Sequence, residues 1–247
     1  DNNYNLMDYN TTNQNIDFIT TPKQLQCNSI GNASNTAQYW GTEYLIDGSN
    51  QITSSCYSYN AMIVAVIDPY SLVPWRSNNY DFGQVNGPPN GTCFGNGPHN
   101  AFVFWSRDQD STYREELANM LNSIPDSNYI LVYTFRYGNS KQWEDTLYNA
   151  FQSLGSNVFT DSISAPPNNY PFAFFVKKGD SSTLQEVIGS NPYDTVKLSA
   201  NLLTNYDHGH ITSTNIGTAD IWHSIYWKFN DVENHDSVKL EVLGLEQ

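Results

Sequence analysis

Positive charge is what this chain has least of. Its 247 residues include 11 Lys and Arg against 25 Asp and Glu, a formal net charge of −14. A nucleic-acid partner needs a cationic footprint to displace phosphate counterions, and this composition excludes one. An anionic membrane surface is disfavoured on the same ground. Charge of either sign is sparse, at 15% of residues. The surface must therefore be built from neutral Asn, Ser, Thr and Tyr, a character common in secreted, sugar-rich settings. Long apolar runs are missing too. No stretch approaches the ~20 residues that span a bilayer. No cationic leader with an apolar core opens the chain, so any secretion signal is expected to have been removed or to lie upstream.

Recognisable catalytic motifs are also lacking: there is no G-x-S-x-G elbow, H-E-x-x-H pair or P-loop. Cys93 and His99 are candidates for a thiol–imidazole pair, but the intervening Phe94-Gly95-Asn96-Gly97-Pro98 reads as a turn that supplies no orienting group, so the pair is not expected. The carboxylates Asp108/Asp110 and Glu115/Glu116 read as helix-start charges favoured by the macrodipole. Asp207-His208-Gly209-His210 is the densest ligand-type cluster. Two His at i and i+2 on a strand share one side and can join a metal. No third His or Cys sits nearby to complete a site, so a solvated loop is the alternative. The expectation is a chain without catalysis, metal or cofactor of its own.

Cysteine is scarce: Cys27, Cys56 and Cys93. Composition allows one disulfide plus a free thiol, or three free thiols. A Cys27–Cys56 bridge would close roughly thirty residues and contribute about 3–4 kcal/mol in the chain-entropy account.

What is present is an ordered alternation. Apolar runs Ala61–Ile67, Ala101–Trp105, Tyr129–Phe135 and Pro171–Val176 are separated by helical patterns at 111–124 and 140–154, which predicts an α/β layer whose sheet is covered on both faces. In the first helix Tyr113, Leu117, Met120, Leu121 and Ile124 share a face. Thr112 and Glu115 are spaced as a capping box behind Asp110 and Ser111, and Pro125-Asp126 stops the helix. In the second, Ser140 is the expected cap, Trp143, Leu147, Ala150, Phe151 and Leu154 form the stripe, and Gly155 is the terminator. Asp47-Gly48 between Ile46 and Ile52 signals a hairpin. Asp68-Pro69 ends the strand Ala61–Ile67, and Leu72–Arg76 can return beside it. Residues 83–100 form a long Gly- and Pro-rich loop.

Residues 1–22 are polar and read as a linker or edge strand, 23–189 as the main domain, and 190–247 as the start of an antiparallel, sandwich-type β-domain that is expected to be incomplete. In that last stretch Val196–Leu203, Ile225–Phe229 and Val238–Leu243 alternate with period two and no helix intervenes.

The ordered set Gln24-Leu25-Gln26-Cys27, Cys56 before Met62–Ile67, the strand–turn–strand Asp68–Asp81, the helix ending Ala118–Asp126, the strand Ile130–Thr134, the helix ending Ala150–Gly155 and the closing Asn169–Gly179 resembles the interleukin-like EMT-inducer domain. The resemblance covers roughly two-thirds of the chain. It implies an inducer-like sheet with flanking helices and a Cys27–Cys56 disulfide. The long 83–100 loop departs from the pattern, and Cys93 has no assigned partner. The segments Gly209–Trp227 and Asp236–Gly244 resemble the β-domain that follows an inducer-like module in large surface proteins of Bacteroidetes. Many of those leave the cell by the type IX secretion system, and some carry a gingipain-type cysteine peptidase upstream. The chain would then be a non-catalytic recognition or spacer module of a large extracellular or cell-surface protein, or the non-catalytic downstream part of such a peptidase. Its partners would be other domains of the same chain, the secretion machinery or surface glycans. The O-glycosylation pattern of that phylum, Asp followed by Ser/Thr and an aliphatic residue or Thr, falls at Ser111, Thr146, Ser162, Thr195 and Ser237, and Asn10, Asn32 and Asn90 begin N-x-Ser/Thr sequons.

Aromatics are abundant. Trp105, Trp143, Trp222 and Trp227 lie on apolar stripes and read as core. Tyr39, Trp40, Tyr44, Trp75, Tyr80 and Tyr170 lie near turns, where the rings either pack inward or stack on sugar faces; the latter makes the chain a carbohydrate-binding module.

Overall fold

The computed structural model describes residues 7–10, 15–18, 22–31, 41–52, 60–83, 100–105, 111–204 and 224. The chain separates into two units, residues 1–210 and 211–247, and everything described except Ser224 belongs to the first. The tail strands expected around Ile225–Phe229 and Val238–Leu243 lie outside the described residues.

Within residues 1–22, β1 (Met7–Asn10) and β2 (Asn15–Phe18) form an antiparallel hairpin. Then come β3 (Lys23–Ile30), β4 (Glu43–Ile46), β5 (Ser49–Asn50), β6 (Ala61–Ile67), β7 (Phe102–Trp105), α1 (Thr112–Ser123), β8 (Tyr129–Phe135), α2 (Asp145–Ser153), β9 (Phe172–Lys177), β10 (Asp180–Ile188) and β11 (Thr195–Leu202). One sheet runs β10-β9-β8-β6-β7 and a second runs β11-β3-β4-β5. Every strand pairing in them is antiparallel.

The expected α/β fold with flanking helices is therefore overturned. The described chain is mostly β: two antiparallel sheets packed face to face, with two short helices together on one outer face. Strict alternation along β6 shows how this is built. Ala61, Ile63, Ala65 and Ile67 enter the core between the sheets, with Leu25, Tyr44, Leu131, Phe175 and Leu198. Met62, Val64 and Val66 enter a second core beneath Leu117, Leu121, Leu147 and Phe151 of the helices. A strand buried on both faces is apolar throughout whether its neighbours run parallel or antiparallel, so the apolar runs carry no direction. The covering sheet was also hard to see. β3 turns only Leu25, Cys27 and Ser29 inward.

Residues 195–202, expected to begin a second domain, form β11 and pair with β3 along its length, from Thr195 opposite Ile30 to Leu202 opposite Lys23. The approach is close. A Cβ on Gly31 would stand 2.3 Å from the Pro192 carbonyl oxygen, and the Gly31 N–H donates to the Asp194 carbonyl at 2.8 Å. The far end of β11 is pinned by Tyr129, whose hydroxyl donates to the Leu203 carbonyl at 2.8 Å and accepts its N–H at 3.0 Å.

The helices differ in detail from the pattern. At α1 the expected cap Asp110 lies outside the described residues. Ser111 is itself near-helical (φ −73°, ψ −23°) and makes no side-chain cap; its carbonyl receives the N–H groups of Arg114 and Glu115. Ser140 does not cap α2. It opens a 3-10 turn, donates its hydroxyl to the Pro166 carbonyl at 2.8 Å, and leaves Glu144 as the residue before the helix. Gly155 does follow α2, and the Ser156 N–H reaches back to the Phe151 carbonyl at 3.1 Å, closing the helix end. The helices are joined by Arg114, 5% exposed at its side chain, which grips Glu144 with two bonds of 2.8 and 2.7 Å. The Asp47-Gly48 hairpin is present between β4 and β5, with both residues at positive φ.

Candidate functional site

The site begins where β6 ends. The Asp68 carboxylate accepts the N–H groups of Tyr70 and Ser71 at 3.1 and 2.8 Å and the Ser71 hydroxyl at 2.8 Å. The chain turns back on this support. Pro74 bridges to Ile67, and the Trp75 N–H donates to the Val66 carbonyl at 2.8 Å. Trp75 is thereby carried to the rim of the helix-side core. A 3-10 turn, Ser77–Asn79, follows and lays Tyr80 on Trp75. The two rings are 4.2 Å apart and within 5° of parallel. Tyr80 meets Phe102 of β7 edge to face at 6.0 Å, and Phe82 meets the same ring at 6.5 Å. The far end of the loop is fastened to α1, where Glu116 Oε1 accepts the Gly83 N–H at 3.0 Å.

Trp75, Tyr80 and Phe82 are each half-buried, whereas Asn78, Asn79 and Asp81 are exposed. Asn78, Asn79, Tyr80 and Asp81 line an open depression of about 450 Å³. Burial raises the Tyr80 phenol above its ordinary range, reinforced by Asp68. Burial also raises the Glu116 carboxyl, opposed by the Gly83 N–H and reinforced by Asp81. The arrangement is a braced, half-buried pair of stacked rings with exposed amides and a carboxylate beside it.

Of the six aromatics singled out from sequence, the structure brings together Trp75 and Tyr80. Tyr44 is corrected to a core residue. Inward alternation along β4 buries it completely, its hydroxyl donates to the Asn100 carbonyl, and its ring meets Tyr133 edge to face at 6.3 Å. Tyr170 is half-buried before β9, its N–H donating to the Pro167 carbonyl at 3.0 Å. Tyr39 and Trp40 lie outside the described residues. Trp143 is core, as expected, but Trp105 is half-buried, edge-on to Tyr113 at 5.8 Å.

Cys27 is a buried free thiol. Burial pushes it well above its ordinary value, with Glu43 adding to the shift. Cys56, Cys93 and His99 lie outside the described residues, as do Asp207, His208, His210 and Ser237. Among the described residues no group of three or more His, Cys, Asp or Glu is placed to hold a metal ion, and no helix is long and apolar enough to cross a membrane. Thr146, Ser162 and Thr195 are exposed, and Ser111 is half-buried.

Phe82, Asn78, Asn79 and Glu116 were missed. The Asn-Asn pair between two aromatics was a readable signal, while the Glu116–Gly83 contact spans 33 residues and had none. No protein-family model matches the chain, and no curated protein does.

Proposed function

We propose that the chain is a recognition module of a secreted or cell-surface protein, with residues 68–83 as its recognition surface. The observation that supports this most is the Trp75–Tyr80 stack. It is half-exposed, yet the loop that bears it is tied to β6 at one end and to α1 at the other. A loop held this way loses little conformational freedom when it binds. The sparse charge and neutral polar composition support an extracellular setting. Exposed Thr146, Ser162 and Thr195, each behind an Asp, are its proposed glycan acceptors. Fractionation of the producing cells, with surface proteolysis and intact mass of the native polypeptide, tests the setting. The expected result is a protease-accessible surface or secreted polypeptide with mass added at those positions. A purely cytoplasmic, protease-protected polypeptide of unmodified mass would refute it.

A further inference from the structure

We infer that β11 is a self-association edge. Two copies of the chain pair through it, antiparallel about a two-fold axis at Leu198, and join their four-stranded sheets into one.

A sheet edge presents a row of backbone donors and acceptors, and proteins blunt it by shortening, bulging or covering the strand. Three of the four edges of the two larger sheets are blunted here. β5 and β7 are two and four residues long, and the pairing of β10 with β9 shifts register between Asp180 and Gln185. β11 is eight residues long, holds no Pro or Gly, and stays in register with β3 throughout.

Successive residues of an antiparallel strand turn their N–H and C=O to opposite sides. Asp194 turns its carbonyl to β3, where the Gly31 N–H donates to it, and Leu203 turns both groups away, to the Tyr129 hydroxyl. Even-numbered residues therefore serve β3, and Thr195, Lys197, Ser199 and Asn201 turn their backbone groups to the open edge. Among the described residues nothing bonds those groups, and all four residues are exposed.

A second copy fits this edge in chemistry and in symmetry. Two copies of one strand keep inward residues beside inward residues only if the axis passes through a residue position. With the axis at Leu198, Thr195 stands opposite Asn201 and Lys197 opposite Ser199, so every open backbone group on both edges is used. The same register sets Tyr193 opposite Leu203 at each end. These two flank β11 and are among the exposed large apolar side chains, at 67% and 50%. Lys197 is the only charge on the strand and meets Ser199 rather than itself, so no like charges stand opposite one another. One such edge buries on the order of 1,000 Å², the low end for a specific complex, so the dimer is weak. The net charge of −14 on each copy opposes it until salt screens that repulsion.

The test is sedimentation equilibrium of the full 247-residue chain. Loading runs from about 1 µM to about 1 mM, at low salt and at about 0.5 M NaCl. The mass should rise with concentration from 27.9 kDa toward twice that value, and at lower concentration when salt is added. Ser199→Pro removes an N–H that β3 does not use and sets a ring on the edge. It should weaken association about thirtyfold or more, because the axis removes the bond twice. Ser199→Thr keeps the N–H and should leave association intact. Tyr193→Ser combined with Leu203→Ser changes only exposed side chains and should weaken it about tenfold. Circular dichroism checks that each variant is folded. A chain that stays monomeric at the highest concentration in high salt would overturn the proposal, as would a mass that climbs past two copies. So would a dimer that salt dissociates, or one left unchanged by folded Ser199→Pro or by the folded double variant.

Discussion

Removing one partner from the Arg114–Glu144 pair should cost very different amounts depending on which partner goes. Arg114 lies on α1 with its side chain 5% exposed, and Glu144 precedes α2 with its side chain 32% exposed. Glu144→Ala removes two charge-assisted bonds from a guanidinium that is almost fully buried. Breaking a buried pair costs about 3–5 kcal/mol, and the partial exposure of Glu144 lowers that to about 2–3 kcal/mol. Arg114→Met fills the same volume with an apolar chain and leaves a carboxylate that water reaches, so it should cost about 1 kcal/mol or less. For a unit of this size the larger change lowers Tm by roughly 4–10 °C. Acidity gives a second readout. The Arg114 bond holds the Glu144 carboxyl below its ordinary range. The pair's contribution is therefore complete above the unfolded-state pKa near ~4.3 and fades as pH falls through the lower folded value. Urea denaturation of wild type and both variants at pH 7 and at decreasing pH measures this. Equal losses, or a greater loss in Arg114→Met, would refute the assignment of Arg114 as the desolvated partner.

Two further outcomes follow from the packing. Gly31→Ala places a methyl group against the Pro192 carbonyl. It should destabilise by about 1–3 kcal/mol, as overpacking does, with faster hydrogen exchange in β3 and β11; a neutral Gly31→Ala would contradict the close β3–β11 approach. Cys27 should resist iodoacetamide in the folded protein and react in denaturant without reductant. Protection that persists in denaturant until reductant is added would instead identify a disulfide.

The sequence and the fold agree where burial leaves a periodic trace. β6, β7, β8 and β9 are read from their apolar runs because both faces of each are covered. Leu117, Met120, Leu121 and Ile124, and Leu147, Ala150, Phe151 and Leu154, mark the helix faces that end buried. Direction and layer order left no such trace, so a helix between strands pointed to an α/β layer when the strands are antiparallel. The second sheet was the harder part. β3 offers two apolar inward positions in eight residues, and β10 is exposed at Asp180–Ser182 and only half-buried beyond. β11 alternates clearly, but its partner β3 lies about 170 residues earlier in the chain, a distance local pattern does not cross.

The site shows the same division. Trp75 and Tyr80 were legible as aromatics beside turns, and so was Tyr44. What separates them is the register of β4, which places Tyr44 opposite Cys27 and toward the interior. The brace on the loop was not legible, because it depends on α1 lying against residue 83.

The most direct measurement is hydrogen exchange by mass spectrometry on the full chain. The Trp75 N–H is tied to β6 and the Gly83 N–H to Glu116 of α1, so the account predicts slow exchange in peptides spanning residues 75–83, with protection at residue 83 lost in Glu116→Ala. Free exchange throughout residues 75–83 in the wild-type chain would contradict it.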